Sequence, residues 1–126
     1  MQVSGVRVLL VCGLMFFANL SMQAQRGFER ARSLVGRVQE DLHRAERRNR
    51  PEDKERERFH NAQHHLSDFD RGLSEGRFDK DRLDAAIDDV KNVVDGNRLA
   101  PESRDELTRD LEELRRLRED WDRHRL

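Results

Sequence analysis

With 126 residues, 40% of them charged and 35% hydrophobic, the chain is long enough for one domain and too charged for a broad apolar core. That composition leaves disorder or long helices with narrow apolar seams, and the sustained periodicity described below selects helices. A formal net charge of −1 gives no reason to expect nucleic acid or an anionic membrane as partner, and a lone cysteine, Cys12, rules out a disulfide-stapled fold.

Residues 1–24 read as an export signal. Arg7 supplies the positive start, and Val8 to Leu20 is an apolar run interrupted by Gly13 and Asn19. The run is short for a bilayer span, which needs about 20 apolar residues. Cleavage is expected after Ala24, although Met22 is larger than the small residue usual at that point. The chain is therefore expected to be exported, periplasmic or secreted, with no membrane attachment once the signal is removed.

The rest, residues 25–126, is expected to form one helical domain with helices near 27–49, 52–73, 79–95 and 101–124. In the first, Phe28, Ala31, Val35, Val38, Leu42 and Ala45 are spaced alternately by three and four, with Leu34 beside them, giving a two-per-heptad seam. Asn49-Arg50-Pro51 breaks it. Pro51 disfavours the α region for Arg50 and suits the start of the next helix.

The second segment carries Phe59, Ala62, Leu66, Phe69 and Leu73. Its opening, Glu52 to Arg58, has little apolar surface and is expected to project or fray. Gly72 and Gly76 mark its end. The third segment, Asp79 to Gly96, has the widest apolar face: Leu83, Ala86, Ile87, Val90, Val93 and Val94. It is expected to be the helix on which the others pack, with Ile87 and Val90 its most buried pair and Gly96-Asn97 closing it through a left-handed residue. Leu99 is expected to tuck inward. The fourth helix starts at Pro101 or at the capping-box spacing of Ser103 and Glu106, and Leu107, Leu111, Leu114, Leu117 and Trp121 line it.

Short links between four helices predict an all-α fold of antiparallel neighbours: a slim up-down-up-down bundle or two stacked helical hairpins. An offset of 52 superposes Val35, Val38 and Leu42 on Ile87, Val90 and Val94, and Phe59, Ala62 and Phe69 on Leu111, Leu114 and Trp121. Duplication of one hairpin accounts for this, and so does the common seam of any two hairpins of equal length.

His60 and His64, at i and i+4 with His65 adjacent, are the candidate metal ligands, because such a pair shares a helix face. They lie away from the seam and lack the glutamate of the HExxH pattern, so ordinary surface histidines are the plainer reading. Asp79, Asp81, Asp84, Asp88 and Asp89 lack the glycine and distal glutamate of a calcium loop, and a solvated helix face explains them. Asp84 and Asp88 could hold a cation between helices. Residues 25–65 carry 11 basic and 8 acidic side chains, against 6 and 9 for 66–100 and 7 and 9 for 101–126, an asymmetry suited to pairing helices within the bundle or pairing two molecules.

No catalytic constellation and no cofactor motif stands out. The function expected is that of an exported non-enzymatic helical protein acting through protein–protein interaction, as adaptor, chaperone-like or oligomerising module. The alternative is an envelope metal-binding protein using His60 and His64. A protein partner or self-association is expected, with no nucleic acid. The narrow seams of the first two helices predict a dimer through that hairpin, with Glu52 to Arg58 reaching past the bundle.

Overall fold

A computed structural model describes the backbone from Val3 and the side chains from Gln25 onward. The expected signal, residues 1–24, lies outside the residues whose side chains are described. Four helices and no strand occur among the described residues: α1 (Val3–Asn49), α2 (Asp53–Ser74), α3 (Lys80–Gly96) and α4 (Pro101–Asp122).

Each helix ends for a local reason. Arg50 ends α1 with a left-handed φ of 44°, and Pro51 after it disfavours continuation of the right-handed helix. Pro51 then precedes the N-cap Glu52 instead of opening α2. At the far end of α2, the Gly76 amide donates to the Leu73 carbonyl at 3.0 Å and the Arg77 amide to the Gly72 carbonyl at 2.8 Å. This is a Schellman stop, and Gly76, at φ 80°, supplies its left-handed residue. Asp79 caps α3 by accepting from the Arg82 amide at 3.2 Å, a contact worth about 1 kcal/mol. Pro101 is the first residue of α4 after the N-cap Ala100, so Ser103 is not the cap. The stop of α4 repeats that of α2, with His124 at φ 54° in the place of glycine and the Arg125 amide bonded to the Asp120 carbonyl at 2.8 Å.

The four seams meet in one core. Val35, Val38 and Leu42 of α1, Phe59, Ala62, Leu66 and Phe69 of α2, Leu83, Ala86, Val90 and Val93 of α3, and Leu107 and Leu114 of α4 are fully enclosed. The helices form a ring, with α1 against α2, α2 against α3, α3 against α4, and α4 back against α1. The wide face of α3 is divided between its two neighbours, so α3 is no hub. Ile87 correspondingly sits at the edge, 9% exposed, while Leu83, Ala86, Val90 and Val93 occupy the centre.

Cross-helix partners run in opposite directions along every pair of neighbours. Arg32 pairs with Asp70 and His60 with Glu46 between α1 and α2. Arg82 with Asp68 and Arg58 with Gly96 do the same for α2 and α3. Arg118 with Asp84 and Arg104 with Val94 join α3 and α4. Arg37 with Glu113, Arg44 with Glu106 and Arg48 with Glu102 close α1 on α4. The basic first segment thus meets the acidic last one inside a single molecule. These are mostly exposed pairs, worth about 0–1 kcal/mol each, so the enclosed seam carries most of the stability.

Phe59, on the seam of the first hairpin, is fully buried against its own chain. One expectation fails here: the Glu52–Arg58 segment does not project. Its polar side chains dock on the α3–α4 connection: the Glu55 side chain accepts from the amides of Glu52 at 3.1 Å and Arg98 at 2.6 Å. Buried Asn97 donates to the Glu55 carbonyl at 3.1 Å and accepts from Arg58 at 3.1 Å. Hydrogen bonds to a neighbouring loop replace the apolar surface these turns lack.

At the opposite end, Phe78 from the α2–α3 link fills the bundle. Its ring stacks on Trp121 at 4.2 Å, meets Phe69 edge-on at 5.2 Å and lies 6.5 Å from Phe28. Leu99 packs against the core from the α3–α4 link.

Candidate functional site

The histidines do not converge. His60 Nε2 faces Glu46 of α1 at 3.5 Å, His64 Nε2 faces Asp68 of its own helix at 3.3 Å, and His65 Nδ1 contacts Asp89 of α3. Each ring has a separate carboxylate, and among the described residues no group of three or more His, Cys, Asp or Glu is arranged to hold a metal. Asp84 is engaged by Arg118 Nε at 2.8 Å, and Asp88 is exposed.

The unusual chemistry lies on the α1–α4 seam instead. Ser103, Asp110 and Leu117 share one heptad position of α4, and all three are buried. Ser103 is satisfied by Asn49, whose Nδ2 donates to its hydroxyl at 3.1 Å and to the Ala45 carbonyl at 2.7 Å. The Asn49 Oδ1 accepts the Ala100 amide at 2.7 Å, so one side chain ends α1 and anchors the start of α4. Asp110, one turn-pair further along, meets a second acid, Asp41 of α1. They are the two buried acids among the described residues, 4% and 9% exposed.

Arg44 donates to Asp41 Oδ1 at 3.1 Å, whereas Arg37 Nε stands 4.0 Å from Asp110 Oδ1. Asp110 Oδ2 has no hydrogen-bond partner apart from what a carboxyl proton could make. Burial above all, then the hydrogen bond and charge of Asp41, push Asp110 up to about 8, and Arg37 opposes them only in part. The pair lines a cleft of about 290 Å³ with Arg37, Glu106, Arg109 and Glu113.

Beside this cleft an open groove of about 770 Å³ follows the same two helices toward the aromatic end. Leu34 and Leu117 are its apolar lining, between the cations Arg26, Arg30, Arg37 and Arg116 and the acids Glu29, Glu113 and Asp120. Leu34 is half-buried and packs on the core below. Neither acid of the pair stands out by composition. The readable signal was register: Asp110 falls seven residues before Leu117 on the α4 seam, and Asp41 seven after Leu34, which flanks the α1 seam.

Among the described residues no helix is long and apolar enough to cross a membrane. Compared with protein-family models, curated proteins and solved structures, the chain matches none.

Proposed function

We propose that this chain is an exported, non-enzymatic helical protein, periplasmic or secreted, that acts by binding another polypeptide. In this reading residues 25–126 are an up-down-up-down bundle, a topology supported by the opposed order of the cross-helix partners and by the α2–α3 contact. The observation that carries the function is the α1–α4 groove. An apolar strip of Leu34 and Leu117 between rims of both charge signs suits an amphipathic helix whose apolar residues recur at three and four. The mixed rim favours a protein partner over a polyanion, which would need one sign.

The test is capture from envelope extract with the full tagged chain and with Leu34→Glu. A partner retained by the wild-type chain and lost by the variant supports the groove. Equal capture by both overturns it. Metal binding by His60 and His64 is the second proposal, and calorimetric titration with zinc or copper decides it: micromolar binding abolished in His60→Ala/His64→Ala would favour it over the groove.

A further inference from the structure

The Asp41–Asp110 contact has no structural use as two anions. Like charges facing each other in a seam of low dielectric repel strongly, and burial penalises both. Arg44 donates to Asp41 Oδ1 at 3.1 Å, giving that carboxylate a cationic partner. Asp110 receives no donor on Oδ2, and Arg37, beyond hydrogen-bond distance, is turned to Glu113. A buried carboxyl without donors is satisfied as an acid, giving its own proton to the facing carboxylate.

We propose that Asp41 and Asp110 form a proton-dependent latch between α1 and α4, in which one shared proton holds the seam closed and its loss loosens it. The charged groups facing the pair are Arg37 and Arg44 from α1 and Glu106, Arg109 and Glu113 from α4; α2 and α3 line none of the cleft. With Glu106 engaged by Arg44 and Glu113 by Arg37, the rim cations are shared and leave a second negative charge at Asp110 poorly compensated.

The direction follows from linkage. The folded chain holds the Asp110 proton up to about 8, whereas an unfolded aspartate releases it near its ordinary value of about 3.9. This contribution to stability is full below the unfolded value, is lost as pH rises through the window, and is gone above the folded value.

The experiment is urea unfolding of the full chain from pH 5 to 9, with amide hydrogen exchange mapped by residue and corrected for intrinsic rates. The unfolding constant is expected to rise by as much as about tenfold per pH unit inside the window. Protection should fall on the α1–α4 seam before it falls on α2–α3. In Asp110→Asn, where an amide donates to Asp41 at every pH, the slope should disappear. A flat wild-type profile, an equal slope in the variant, or uniform loss of protection would overturn the latch. Should Asp110→Asn not fold, carbon-13 titration of the wild-type carboxyls decides: Asp110 protonated at pH 6 supports the latch, and ionisation in the usual aspartate range overturns it.

Discussion

The guanidinium of Arg58 lies across Gly96, donating to its carbonyl at 3.2 Å and to Asn97 Oδ1 at 3.1 Å, so close that a Cβ on Gly96 would sit 3.1 Å from Cζ. Glycine serves here by its missing side chain. Its backbone is helical, and among the described residues the left-handed glycine is Gly76. Gly96→Ala should therefore be nearly neutral in the wild-type chain, where helix propensity gained offsets Arg58 displaced. In an Arg58→Ala background it should stabilise by about 0.5–1 kcal/mol. A double-mutant cycle by urea unfolding measures the difference, and additive effects would mean that Arg58 does not need the space.

Asn97 is the buried centre of the same junction. Asn97→Ala removes the side-chain bond to the Glu55 carbonyl and one of the two Arg58 contacts, and should cost about 1–3 kcal/mol. A loss within the ordinary surface range of about 0.5 kcal/mol would show that water replaces the side chain without penalty.

Phe59→Ser is expected to act on folding. Phe59 is enclosed by its own bundle, and truncating a buried Phe costs about 3–5 kcal/mol. Equilibrium unfolding should show that loss, with sedimentation of the folded fraction unchanged. Unaltered stability with an altered sedimentation coefficient would instead place Phe59 in an intermolecular seam.

The aromatic end gives a spectroscopic prediction. Trp121 is the chain's single tryptophan and stacks on Phe78 with planes 9° apart. Phe78→Ala should red-shift its emission and destabilise the bundle, since such pairs add about 0.5–1.5 kcal/mol beyond the area they bury. An unchanged spectrum would place Trp121 in solvent already.

Helical class and seam composition were legible because a period of three and four survives any arrangement of neighbours. Val35, Phe59, Val90 and Leu114 are fully buried for that reason. How the seams divide among neighbours was not legible. The width of the α3 face suggested a hub, but in a four-membered ring each helix meets two others, and Ile87 falls at the margin. Polar fixation also escaped periodicity. Glu52 to Arg58 looked unattached because its partners, Asn97 and Arg98, are backbone and side-chain groups of a distant link. The buried acids were hidden differently: Asp41 and Asp110 sit in seam register, where one acid among many on a charged helix draws no notice. His60 and His64 did share a helix, yet each turns to its own carboxylate.

The central claim is that the α1–α4 groove receives another polypeptide. A photo-crosslinking residue placed at Leu34 in the full chain, with Asn92 on exposed α3 surface as control, tests it in the native host. The account predicts a discrete crosslinked product from position 34 that is absent from position 92. Crosslinking equal at both positions, or none at position 34, would contradict it.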